Sequence, residues 1–461
     1  MDFNAGFSEI EITPPIGTHR IGWIRLIAGT SVLDPLFARV AVFDVRGANG
    51  VPAGVKAGNG FDDHQALLGA GDRRASLAAV GRVAIVQLDV LCVPASLTAR
   101  IRERIGKDHG FTPGNILVSA SHNHAGPAVA NEGEVKKDVK YIGVLLERIS
   151  AAFGAALGRL APAGTGLGRG FEFAIAHNRR VVMRDGTVKT HGTFDDPEAL
   201  CIEGPVDPEV GVLAVRSAAG RPLGLLVNYA LHVTHYGGDE VFTGGFPGVL
   251  ARLMKQDGWP VTMFLAGAGG NVCVSDPVDG GRETGMEETG LVLADAVRGI
   301  LPGIKYRRDA RLACASRIVD LPYRTVTDDE VKGRVRGAQR FIDSKLYDAE
   351  MPELVERIRM EGSRKGEVQA MTVGDLVMVT LPCEPFCELG LAIKEGVYPR
   401  RAWTVGYANG MVGYVPTKDA FARGGYETTF GGGTCLAPGA GDLLVDAAVN
   451  LVKEACPAPD L

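Results

Sequence analysis

Two of the nine histidines stand one residue apart in SASHNHAGP (119–127), as His122 and His124. They follow an apolar run and precede a glycine–proline stop. His232 and His235 stand in YALHVTHYGG, and a carboxylate, Glu384, in LPCEPF. Side chains alternate faces along an extended segment, so His122 and His124 are expected to point the same way. Same-side imidazoles suit one metal ion, or one ligand plus an acid–base group. Taken alone, an H-x-H pair is more often two hydrogen-bonded structural histidines. His232 directly follows a predicted strand and has the position of a ligand, whereas His235 is expected to pack or hydrogen-bond in the loop. Glu384 by itself reads as a carboxylate favouring a helix N-terminus. Two neutral imidazoles and a carboxylate would, however, leave an open position on zinc, the arrangement of hydrolytic zinc sites.

The elements that must position these groups alternate between strand and helix. Apolar runs predict strands over 82–91, 115–121, 222–231, 261–267, 376–382 and 403–407. Helical patterns fall over 96–106, 246–258 and 385–395, with a charged helical region over about 327–365. His122, His232, Glu384 and Tyr414 then emerge near strand ends, where α/β sheets build their ligand crevices. The expected fold is α/β, with mixed or largely parallel sheets flanked by helices. Residues 1–461 are expected to form one large catalytic domain. A G-x-G-x-G run, Gly166-Leu-Gly168-Arg-Gly170, lacks the full nucleotide-binding spacing and reads as a loop.

Bulk properties narrow the function classes. The 461 residues carry a formal charge of −5 and no lysine or arginine run, so nothing suggests a nucleic-acid partner. The start, MDFNAGFSEIEITPP, has no export signal, and no stretch reaches ~18 consecutive apolar residues, the length a bilayer requires. Eight scattered cysteines (92, 201, 273, 314, 383, 387, 435, 456) then read as reduced thiols in a cytoplasm. The 62 glycines gather in loops such as 267–271 and 431–433, as tight turns require. The expected partner is a small-molecule substrate; self-association as a homo-oligomer is left open.

Together these stretches resemble the neutral (non-lysosomal) ceramidase family, whose catalytic domain is a zinc amidohydrolase. EIEITPPIG is similar to that family's D/E-I-T-P-P-x-G, SHNHAGP to S-H-T-H-S-G-P, and VNYALHVT to N-Y-x-x-H-P-T. FPG (246–248), LPCEPF, and YANGMVGYVPT followed by GGYET complete a set running in the family's order from residue 9 to about 428. The resemblance implies one catalytic zinc ion held by His122, His232, Glu384 and Tyr414. It implies that His124 contacts the substrate carbonyl region, and that Arg179 and the second tyrosine, Tyr426, lie in the active site. Tyr407 then reads as a packed aromatic with a bonded hydroxyl, and Arg180 as a surface ion pair. A zinc-activated water would attack an amide, ester or lactone carbonyl, with Tyr426 and His124 as donors to the oxyanion and His124 passing a proton to the leaving group.

The departures from the family lie around the pocket. Asn271 replaces an aspartate in the glycine-rich loop, Cys273 stands at a serine or asparagine position, Gly245 replaces the aspartate before FPG, and Met411 replaces an aromatic. The resemblance runs over the family's catalytic domain, and its C-terminal β-sandwich domain is not expected within residues 1–461. These differences turn the expected substrate from ceramide to a small, soluble amide, ester or lactone. Cys273 opens a rival, a metal-free thiol hydrolase, although such a cysteine is more often a buried small hydrophobe. A ceramide-type amidohydrolase and a non-catalytic binding protein are further readings that these residues allow.

Overall fold

The computed structural model describes residues 2–23, 25–46, 80–341 and 344–455, so Cys456 lies outside the described residues. Its main sheet is built from β1 (Asp2–Glu11), β2 (Phe37–Arg46), β3 (Arg82–Leu88), β4 (Ile116–Ala120), β5 (Ala161–Phe171), β6 (Glu209–Ser217), β7 (Pro222–Tyr229) and β8 (Thr262–Ala266). The order across the sheet is β8-β7-β6-β5-β1-β2-β3-β4. The interior pairings are antiparallel. Only the two edge pairs, β7 with β8 and β3 with β4, run parallel. The sheet is therefore mixed rather than largely parallel. A second sheet, β9 (Leu312–Pro322), β10 (Ser363–Val373), β11 (Leu376–Thr380) and β12 (Arg401–Val405), repeats the device: its edge pair β11 and β12 is parallel.

Strand periodicity explains how the sheets stack. In β2 and β3, Val40, Val42, Ala84 and Val86 face one way. They meet α1 (Ala95–His109), α2 (Val139–Gly158), α3 (Gly245–Gln256) and α4 (Met286–Ile300). The alternate residues Ala41, Phe43, Val83 and Ile85 face the second sheet, packing with Leu312, Met371, Met378 and Trp403. That sheet's outer face, with Val368, Val377 and Val379, is covered by α6 (Cys387–Gly396) and α7 (Ala440–Ala455). A helix–sheet–sheet–helix stack buries both faces of each strand, so runs such as RVAIVQL read as continuously apolar. Each fully buried Leu, Val or Phe contributes on the order of 2 kcal/mol. The long apolar helix α2 belongs to this core: Ile142, Leu145, Ile149 and Phe153 are buried, and Ser8 Oγ bonds Ala152 O across to β1 at 2.6 Å.

Two sequence expectations are corrected here. The glycines of GLGRG lie within β5 and not in a loop. They recur every second residue, so they share the face on which the end of α4 packs. A Cβ on Gly166 would stand 2.3 Å from Ile304 Cγ2, and one on Gly168 2.5 Å from Ile300 Cγ2. The repeat serves close helix–strand approach. The charged helical region is α5 (Ser344–Glu361), preceded by one short helix (Asp328–Val331), and β10 begins inside the expected span.

Candidate metal centre

The three parallel edge pairs deliver the site. His122 lies just past β4, His232 past β7, Glu384 past β11 and Tyr407 past β12. The strand ends are tied together by the main chain: Ala120 N donates to Tyr407 O at 3.1 Å, and Gly406 N to Ala266 O at 2.9 Å. The edges of both sheets thus meet at one point.

The histidine pair does not sit on an extended segment as its spacing suggested. His122 adopts φ +64°, a left-handed conformation that costs a β-carbon residue energy and marks functional turns. Asn123 turns away and fixes the turn, donating to Thr243 O at 2.7 Å while its Oδ1 accepts from Ala125 N at 2.9 Å. The His122 and His124 rings still converge, centroids 4.8 Å apart and nearly perpendicular.

Each imidazole is held by its Nδ1 against a carbonyl oxygen: His122 on Leu91 O (3.0 Å), His124 on Gly22 O (2.8 Å) and His232 on Gly269 O (2.8 Å). A carbonyl can only accept, so Nδ1 carries the hydrogen and each Nε2 presents a lone pair. The three lone pairs point at one another. His122 Nε2 is 2.9 Å from His232 Nε2 and 3.2 Å from His124 Nε2. Glu384 Oε2 stands 3.1 Å from His122 Nε2 and 3.4 Å from His232 Nε2, buried and, among the described residues, without a conventional hydrogen-bond partner. Protons could relieve this crowding only by charging buried rings. Burial holds the His124 imidazole well below the ordinary histidine range and, with His122 and Arg179 nearby, brings that of His232 down to about 4. Three buried imidazoles and a carboxylate converging on one point fit a divalent cation, and their carbonyl-anchored Nδ1 groups are the outer-shell support such sites use. Among the described residues, His122, His124 and His232 place ligand atoms within 4.8 Å of one another.

The walls are shaped for the cluster. The Tyr407 ring stacks on His122 at 3.8 Å between centroids. Its hydroxyl, expected to be bonded, is buried without a hydrogen-bond partner among the described residues. Gly270 carries the loop across the Glu384 backbone, and a Cβ there would meet Glu384 O at 2.7 Å. His235 does what its loop position suggested, with Nε2 2.9 Å from Thr284 O.

A second arc of side chains leads away from the histidines. Glu384 and Tyr414 are register partners in a short parallel pair. The Tyr414 ring lies nearly parallel to that of His232 at 6.4 Å, and burial raises its phenol well above the ordinary range. Its hydroxyl accepts from Arg179 Nη2 at 3.2 Å. Tyr426, half-buried, meets the Tyr414 ring edge-on at 5.8 Å and has the exposed Phe341 at 4.9 Å on its other side. All seven residues singled out from the sequence therefore fall along one connected path. The path contains a residue the motifs did not single out. Glu427, wholly buried, accepts from Arg179 Nε and Arg180 Nη1, each at 2.7 Å, and from Thr190 Oγ1 at 2.8 Å. Burial alone would raise its carboxyl, but the two arginines hold it down at about 2. The signal for it was its place beside Tyr426 in GGYET. Arg180 is corrected from a surface ion pair to a fully buried one, shared between Glu203 and Glu427.

The substituted positions are accommodated locally. Asn271 spans Cys387 N (2.8 Å) and Glu388 Oε2 (2.9 Å). Gly245 has φ +64°, and a Cβ there would meet Val233 Cγ1 at 2.5 Å. Asp34 supplies a carboxylate nearby, accepting from Gly244 N at 2.7 Å. Met411 offers its carbonyl to Arg364 Nη2 at 2.8 Å. Cys273 is buried, its Sγ directed to Ser275 O at 3.6 Å, and burial pushes the thiol up to about 11.

No protein-family profile and no curated protein sequence matches the chain. Solved structures do. The crystal structure of neutral ceramidase from Pseudomonas aeruginosa superposes with a TM-score of 0.69 at 18% identity, over 100% of this chain and 77% of that one. A ceramidase complexed with C2 gives a TM-score of 0.69 at 17% identity, with the same coverage. The fold expected from the motifs is the fold observed: the chain is built like the ceramidases of known structure.

Proposed function

We propose that this chain is a metal-dependent hydrolase, with zinc as the metal, acting on the amide, ester or lactone carbonyl of a small soluble substrate. One observation carries the reading: three carbonyl-anchored imidazoles turn their Nε2 lone pairs toward one point, beside a buried carboxylate oxygen that has no conventional partner. An amide is the first substrate class to try, because the structural neighbours are named ceramidases. His122, His232 and Glu384 would hold the ion, with Tyr414 alongside Glu384 as the fourth group. When bound, a divalent cation supplies Lewis acidity, polarising a carbonyl and acidifying water.

The remaining residues have roles of their own. His124 Nε2 stands 3.2 Å from His122 Nε2 and, kept neutral by burial, can take a proton and return it to a leaving group. The Arg179 guanidinium orients the Tyr414 hydroxyl and offers fixed positive charge to a polar part of the substrate. The Tyr426 phenol, kept protonated by burial, is a donor for developing negative charge. A thiol mechanism is disfavoured, since a Cys273 thiol pushed up to about 11 is protonated at neutral pH.

The test is metal content together with hydrolysis of amide, ester and lactone panels by wild type, His232→Ala and Cys273→Ala. One ion per chain, activity lost with His232 and activity kept without Cys273 support the proposal. Absence of stoichiometric metal, or an active His232→Ala protein, overturns it. Metal without hydrolysis on any panel would point to a binding protein.

A further inference from the structure

The geometry points to Glu427 as the positioning residue that holds Arg179 against Tyr414. The inference rests on the hydrolase reading for its kinetic consequence but not for its structural one. Arg180 anchors the carboxylate to the scaffold, because it is independently satisfied by Glu203 and by Gly424 O at 2.8 Å. Thr190 Oγ1 donates to the same oxygen, Oε2, at 2.8 Å. The free oxygen, Oε1, then takes Arg179 Nε at 2.7 Å. Among the described residues Glu427 is the only carboxylate paired with Arg179.

The far end of Arg179 meets neutral acceptors: Nη2 donates to Gly270 O at 2.7 Å and to the Tyr414 hydroxyl at 3.2 Å. A guanidinium is planar, so fixing Nε fixes where Nη2 points. Because Arg179 can only donate, the Tyr414 oxygen must accept, and its own hydrogen is turned elsewhere. Gly270 adjoins Gly269, whose carbonyl holds His232 Nδ1. One buried carboxylate thus sets both the tyrosine and the loop behind a ring of the cluster. A residue that only neutralised two buried arginines would need the charge but not the reach.

Glu427→Asp and Glu427→Gln separate these roles. Aspartate keeps the charge but withdraws the carboxylate by one methylene, and a displacement of ~1 Å at a positioning contact can cost ~100-fold. Positioning predicts that Glu427→Asp lowers kcat at least ~10-fold with KM changed less than ~3-fold, whereas charge neutralisation predicts kcat near wild type. In an Arg179→Ala background, Glu427→Gln should cost under ~3-fold more, since residues acting as a unit are not additive. Independent multiplicative losses overturn the inference. A crystal structure of Glu427→Asp decides the structural claim without activity: Arg179 Nη2 should leave the Tyr414 hydroxyl while metal stoichiometry stays at the wild-type value. An unmoved guanidinium overturns it. If wild type hydrolyses nothing, the hydrolase reading fails and the crystal structure still decides the placement of Arg179.

Discussion

His122 Nε2 lies 2.9 Å from His232 Nε2, and each ring gives its other nitrogen to a backbone carbonyl. Two lone pairs at that separation repel unless a cation or a proton joins them, and burial opposes the proton. His122→Ala and His232→Ala should each lose the bound ion, as read by elemental analysis after gel filtration. Glu384→Gln should bind it at least ~10-fold more weakly, since replacing a ligand costs no less than the ~10-fold of losing an outer-shell partner. Unchanged metal content in His232→Ala would remove the basis for the centre.

His124 is the informative member of the pair. Its Nε2 is 3.2 Å from His122 Nε2, but Glu384 pairs with His122 and His232. The expected outcome for His124→Ala is retained metal with kcat lowered by ~10²–10⁴-fold, the usual contribution of a proton-transfer group. Metal loss as complete as in His122→Ala would instead make His124 a third imidazole ligand.

Cys273→Ala should stay within ~3-fold of wild-type kcat, since a buried, protonated thiol supplies no nucleophile. Native protein should likewise resist inactivation by iodoacetamide at neutral pH. A loss of activity with metal retained would restore the thiol mechanism.

What the sequence displayed and what it hid follow a physical pattern. Strands such as 82–88 and 376–380 are buried on both faces, so their apolar runs were legible and the polar residues just past them could be found. GLGRG was misread because alternate glycines look like a turn until the approach of α4 is known. The burial of Arg180 was hidden for another reason. Its partner Glu427 is 247 residues away, and no local pattern signals a charge pair closed over that distance. The site was thus readable where a strand delivers it and obscure where long-range pairing supports it.

Tyr407 offers a stability test. Its ring stacks on His122 at 3.8 Å, while its hydroxyl is buried without a partner. Leaving such a hydroxyl unsatisfied costs about 1–3 kcal/mol, so Tyr407→Phe should be as stable as wild type or more so. Tyr407→Ala removes the stack and should cost roughly 3–5 kcal/mol in urea denaturation, with weaker metal binding. A clear destabilisation of the Phe variant would show that the hydroxyl has a role in the folded protein.

The buried His232 and His124 imidazoles also predict a pH dependence for the metal-free protein. In the unfolded chain a histidine takes up its proton near pH 6.5, whereas His232 in the fold resists until about 4. Between those values the unfolded state binds more protons, so stability must fall as pH drops through this window and recover above it. The full window corresponds to about 3 kcal/mol for one wholly buried group. His124, shifted downward by burial as well, adds to the slope in the same direction. Urea denaturation of EDTA-treated protein from pH 4.5 to 7.5 should give an unfolding free energy that rises with pH, and His232→Gln should flatten the profile. A wild-type profile flat across that range would mean the rings are charged or free to titrate in the fold, and the lone pairs assigned to the metal would not exist.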